Sequence, residues 1–259
     1  MSDPSPSTGG VTRRGVLGAA GAGVAAVGLA LGVQRVRTEA PAQAVPLAPG
    51  GLTYPFTGTH QAGISTPAQD RMYLAAFDLT TSSRQEVVEL LRTWTSMAAR
   101  MTQGLSAGPR GATTGPLDAP PDDTGEALDL PAAGLTITLG LGRSFFVGAD
   151  GTGDRFGLAG HLPEALVDLP HFPGDDLDPA RSGGDLVVQA CADDQQVAVH
   201  AIRNLSRAAF GTARIRWTQL GYGRTSSTTT AQRTPRNLFG FKDGTANVTA
   251  EEPQALDDH

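Results

Sequence analysis

Two amphipathic helices, each set between short apolar runs, constrain this chain more than any other feature. Arg84 to Met101 carries Val87, Val88, Leu90, Leu91, Trp94, Met97 and Ala98 at helical spacing, with Ser83 placed to cap the first turn. A second helix starts behind Asp193 or Asp194 and runs to about Phe210. The first helix lies between residues 72–79, which read as a buried strand, and residues 135–141, where apolar and polar residues alternate. The second lies between apolar runs at 185–191 and 213–221. The resulting order, β-α-β-β-α-β, is the split βαβ of an α+β, ferredoxin-like sandwich. Residues 104–131, rich in Gly, Pro and Asp, read as a loop long enough to suggest a function, and 144–184 as a second irregular stretch.

Of the 259 residues 39% are apolar, which supports one or two domains with a real core. A net charge of −6 and the lack of a basic stripe argue against nucleic acid as a partner. All basic residues but one are Arg; the exception, Lys242, stands beside Asp243. A single cysteine, Cys191, rules out an internal disulfide, and no Cys/His spacing suggests zinc. Set in an apolar run, Cys191 reads as a buried, inert thiol.

Residues 1–44 read as a leader rather than part of the fold. Arg13 and Arg14 precede an uncharged, Gly/Ala-rich run from Val16 to Val33, and Ala42-Gln43-Ala44 offers a cleavage site with small side chains. Paired arginines before a weakly hydrophobic segment match a twin-arginine export signal. The competing reading is a membrane anchor, which so many glycines disfavour. Export by the twin-arginine translocase would place the mature chain in the periplasm, the cell envelope or outside the cell.

Residues 45–221 then hold the ferredoxin-like domain, and 222–236 read as a Thr/Ser-rich linker. Behind it stands Asn237-Leu-Phe-Gly-Phe-Lys-Asp-Gly-Thr-Ala-Asn247, and residues 237–259 read as the start of a second half. Glycines at 240 and 244 permit backbone angles and close approaches that a Cβ forbids. A carboxylate held in such a turn can accept and return a proton, and Phe239 and Phe241 would raise its pKa if they covered it. On spacing alone, a surface Asp-Gly turn with Lys242 as a solvated partner is the favoured reading.

Five ordered segments change that balance. His60-Gln-Ala-Gly-Ile-Ser-Thr-Pro67, residues 135–142, Asp154-Arg-Phe-Gly-Leu158, residues 183–190 and the 237–247 segment together resemble the dye-decolourising haem peroxidases, over residues 50–259. The nearest branch is its twin-arginine-exported members, including those assigned to iron uptake as deferrochelatases. The resemblance implies haem b and two ferredoxin-like halves. It makes Asp243 the acid that takes a proton from the near oxygen of hydrogen peroxide and returns it to the far one. Gly244, Thr245 and Ala246 would lie along the haem edge, and Asn247 would have a structural part in the turn. Where family members close this motif with Asn-Pro, Val248 follows here.

The family's iron-ligating histidine and its distal arginine are expected beyond His259, so the chain reads as truncated. Among its own histidines, His60 fits a structural hydrogen bond, His161 and His171 an exposed Pro-rich loop, and His200 a packing role on the second helix. His259 is terminal, and none is assigned to iron. The implied activity is peroxide-dependent oxidation of bulky organic substrates, with a homo-oligomer compatible with it. The alternatives are an exported protein that binds haem or releases its iron, and an inactive remnant.

Overall fold

The computed structural model describes residues 51–259 apart from 149, 224–227, 232, 235, 238, 243, 245 and 259. The leader, residues 1–44, lies outside the described residues. Among those described, no helix is long and apolar enough to cross a membrane.

Among the described residues, the strands and α-helices follow in the order β1 (Arg71–Leu79), α1 (Arg84–Met101), β2 (Thr136–Leu141), α2 (Arg143–Val147), β3 (Leu186–Ala192), α3 (Gln195–Ala208), β4 (Ala213–Tyr222) and α4 (Pro253–Asp258), with short 3-10 turns at Ala159–His161 and Pro179–Arg181. The strands form one antiparallel sheet in the order β2-β3-β1-β4. Each βαβ unit is thus split by a strand of the other, which is the ferredoxin-like arrangement. Beyond β4, the described residues add only α4 to the named elements.

The helices begin where local chemistry places them. Ser83 accepts from the Glu86 N–H at 3.3 Å, and Asp194 from Gln196 and Val197 at 2.7 and 3.4 Å. On α1, Val87, Leu90, Trp94, Met97, Ala98 and Met101 are buried, whereas Val88 faces solvent. The α3 helix stops short of Phe210, because Gly211 at φ +89° turns the chain and leaves that ring in solvent. Trp94 joins the layers: its ring lies 5.2 Å from Phe77 of β1, and its indole N–H donates to the Leu205 carbonyl at 2.8 Å.

The sheet has two distinct faces. In β3, Leu186, Val188, Ala190 and Ala192 are buried under the helices, while Val187, Gln189 and Cys191 alternate onto the other face. The arm before β1 crosses that second face. Gln69 Nε2 donates to the Gly134 carbonyl at 2.8 Å and Gln61 Nε2 to that of Ile137 at 3.3 Å. Gly63, at φ +104°, passes so near β2 that a Cβ there would meet Thr138 Oγ1 at 2.9 Å. A cleft of about 350 Å³ remains between arm and sheet, lined in part by Gln69, Arg71, Met72, Gln189, Cys191 and Tyr222. Cys191 is half-buried on the wall of this cleft rather than buried as its apolar run suggested, and desolvation still pushes its thiol upward against an opposing hydrogen bond from Gln189.

An ion pair at Arg155 ties the long 142–185 connection to β1. Arg155 Nη1 meets Asp185 Oδ2 at 3.0 Å, and its Nη2 donates to the carbonyls of Leu79 and Thr81 at 2.6 and 2.9 Å. Asp185 also accepts from Ser144 Oγ at 2.6 Å and the Leu79 N–H at 2.8 Å. Arg155→Met should therefore destabilise the domain by about 2 kcal/mol, since it strands a buried carboxylate and two carbonyls but at a partly solvated site. Urea unfolding checks this, and an unchanged midpoint would show that the pair is dispensable.

Candidate active site

The segment that carries the proposed acid is an excursion closed at its base. The Ala250 N–H donates to the Thr228 carbonyl at 2.9 Å, bringing 228–230 against 249–252. Glu251 completes the closure, accepting from the Thr229 hydroxyl and, at 3.1 and 3.2 Å, from the Thr230 N–H. Those hydrogen bonds, the Thr229 one foremost, pull its carboxyl down to about 2. The base rests on the arm across the sheet: Thr228 Oγ1 donates to the Thr66 carbonyl at 2.5 Å. His60 Nε2 stands 3.4 Å from Asp257 Oδ1 on α4. The excursion therefore rises from the sheet face opposite the helices.

Within the excursion, residues 236–242 form a tight turn. Arg236 and Lys242 are bridged in antiparallel fashion, and the Asn237 N–H donates to the Phe241 carbonyl at 2.8 Å. Gly240 sits at φ +84° with open space where a Cβ would be, so backbone angle rather than crowding calls for glycine there. Phe239 and Phe241 are 88% and 70% exposed, so neither ring is packed into the domain. Gly244 follows at φ +67°, half-buried, and its carbonyl accepts from the Asn247 N–H at 3.4 Å. Ala246 is exposed. Asp243 and Thr245, two of the four residues assigned to the site, lie outside the described residues.

The histidines divide as their surroundings require. His161 and His171 are exposed in the β2–β3 connection. His200 is buried, with Nε2 at 2.9 and 3.0 Å from the two carboxylate oxygens of Asp123. That pairing was not legible in the sequence, where Asp123 sits in a Pro/Asp-rich loop that looks solvated and lies 77 residues away. Its effect is to seat the long loop after α1 upon α3. Among the described residues, no three His, Cys, Asp or Glu side chains gather as a metal site.

The sequence profile described as Dyp-type peroxidase, N-terminal, matches residues 61–223. The chain belongs to the Dyp-type peroxidase family. It is 38% identical over 224 residues to the deferrochelatase of Escherichia coli strain K12, covering 83% of this chain and 51% of that protein. Among solved structures it resembles ferric DtpA from Streptomyces lividans, at 40% identity and a TM-score of 0.63, covering 80% of this chain and 52% of the other. A DyP-type peroxidase from Streptomyces coelicolor matches at 42% identity and a TM-score of 0.64, over 78% of this chain and 50% of its own. This chain thus spans about half the length of the relatives it matches.

Tested against haem, the described residues fit one side of a site. The turn and its two exposed phenylalanines offer glycine-rich backbone and apolar surface to a flat ligand. No histidine lies on the turn, and His60 and His200 are engaged by Asp257 and Asp123.

Proposed function

We propose that the protein bearing this chain is a haem b peroxidase that uses hydrogen peroxide to oxidise bulky organic substrates. Family membership carries the reading, together with a ferric relative of the same fold at 40% identity. When bound, the haem would supply the redox chemistry. This chain would supply the proton chemistry, with Asp243 accepting a proton from the near peroxide oxygen and delivering it to the far one. Gly244, Thr245 and Ala246 would lie along the haem edge, where a glycine at 244 lets the backbone approach closely. Arg13 and Arg14 support folded export by the twin-arginine translocase to the periplasm, cell envelope or exterior.

A second reading, removal of iron from haem without peroxidase turnover, is favoured by the 38% identity to a deferrochelatase. One assay separates the two. With haem supplied, peroxide-dependent bleaching of a bulky dye carries the first, and release of chelatable iron from haem without dye oxidation carries the second. A protein that does neither would overturn both.

A further inference from the structure

We propose that a pocket in the helix layer binds a small aromatic carboxylate, gripped by Arg207 against apolar walls. The pocket lies between the second half of α1, the last turn of α3 and the loop after α1. It holds about 430 Å³, within the ordinary range for an organic ligand. The 228–252 excursion stands on the other side of the sheet.

The loop forms the outer wall because two of its passes touch. A Cβ at Gly108 would meet Asp122 Cβ at 2.4 Å, so only glycine lets those passes lie so close. Arg100 secures the first pass, Nε donating to the Ser106 carbonyl at 2.8 Å and Nη2 to that of Gly108 at 3.0 Å. Arg110 ties the two together, with Nε and Nη2 at 3.2 and 3.3 Å from the Asp122 oxygens.

These pairings leave charge over. Arg100 donates to carbonyls and the Ser106 hydroxyl, none of which cancels its charge. Burial raises the Asp122 carboxyl, but the hydrogen bonds of Arg110 and the charges of Arg110 and Arg207 hold it below its ordinary 3.8. Asp122 is therefore ionised and answers one arginine of the three. Arg207, exposed at the end of α3, has no ion-pair partner among the described residues. The pocket thus carries two positive charges on a chain whose net charge is −6.

The lining then selects the ligand. A free guanidinium takes a carboxylate through two parallel N–H donors. Met97, Ala107, Ala208 and the rings of Pro109 and Pro121 offer apolar surface to a flat ring, and a thioether favours aromatic contact. An inorganic anion would leave that surface unused.

Cinnamate titrated into the 259-residue chain should bind with a Kd of about 1 mM or tighter by calorimetry, with NMR shifts confined to the Met97 methyl and nearby amides. Cinnamamide, its uncharged counterpart, should bind about tenfold more weakly to the same wild-type protein. Arg207→Gln should weaken cinnamate by about tenfold while leaving the urea midpoint in place, because the residue is exposed. Equal affinity for the amide, an unchanged Kd in Arg207→Gln, or shifts lying elsewhere would overturn the site. Inorganic phosphate competing as tightly as cinnamate would overturn the ligand class, leaving a cationic patch without use for its apolar walls.

Discussion

Asp123→Ala should cost the domain about 3–5 kcal/mol, read as a lowered urea midpoint at unchanged slope. Asp123 and His200 are 0% and 1% exposed, and the carboxylate also accepts the N–H groups of Ala107 and Gly125, both at 2.6 Å. Truncation leaves a buried imidazole, the buried Ala107 amide and the half-buried Gly125 amide without that acceptor. Asn204 extends the network, accepting from the Thr124 N–H at 3.1 Å and donating to Thr124 Oγ1 and the His200 carbonyl at 2.7 and 3.0 Å. Burial pushes the Asp123 carboxyl up, but the bonds from His200, Ala107 and Gly125 outweigh it and hold the group below its ordinary 3.8. The sign follows: a depressed carboxyl contributes stability that is present above the unfolded-state value and lost as pH falls through the lower folded-state one. The contribution of Asp123 should accordingly persist until the pH falls below the ordinary carboxylate range, and Asp123→Asn should lose that part of the acid dependence. A loss under about 1 kcal/mol for Asp123→Ala would mean that water reaches the pair.

That network marks the border of what the sequence discloses. Ser83 and Asp194 were recognisable as caps because a cap bonds within three residues of itself, and the order of strands and helices along the chain followed from period-two and period-3.6 patterns that are equally local. The bulge between Ala76 and Phe77, where β4 shifts register, depends on a neighbour more than a hundred residues away and leaves no local mark. Helix α2, five residues long, is too short to show a period. Val88 fits the apolar spacing of α1 as well as Val87 does, yet it is exposed and Val87 buried. At the site, Gly240 could be foreseen from the angle a tight turn needs. Asn237 could not, since an asparagine before a turn has many local uses and only geometry shows its oxygen taking the amides of Phe239 and Phe241. Arg155 stood within a recognisable signature, but its work of tying β1 to the 142–185 connection becomes legible only with Asp185 beside it.

Asp243→Asn should lower the peroxide-dependent rate by about 10²–10⁴-fold in the haem-loaded protein while leaving haem uptake intact. The amide matches the carboxylate in shape and can still accept a hydrogen bond, so the turn survives. It cannot take up a proton and give it back, and that transfer is the step assigned to the residue. Because the group is a carboxylate with an ordinary value near 4, the wild-type profile should favour acidic pH rather than the neutral range a histidine base would select. Dye oxidation and iron release measured side by side sharpen the test. If Asp243→Asn abolishes oxidation but not iron release, proton transfer serves the peroxidase alone. A full oxidation rate at the wild-type optimum would remove Asp243 from the chemistry and leave the glycine-rich turn as a surface that only shapes the haem's edge.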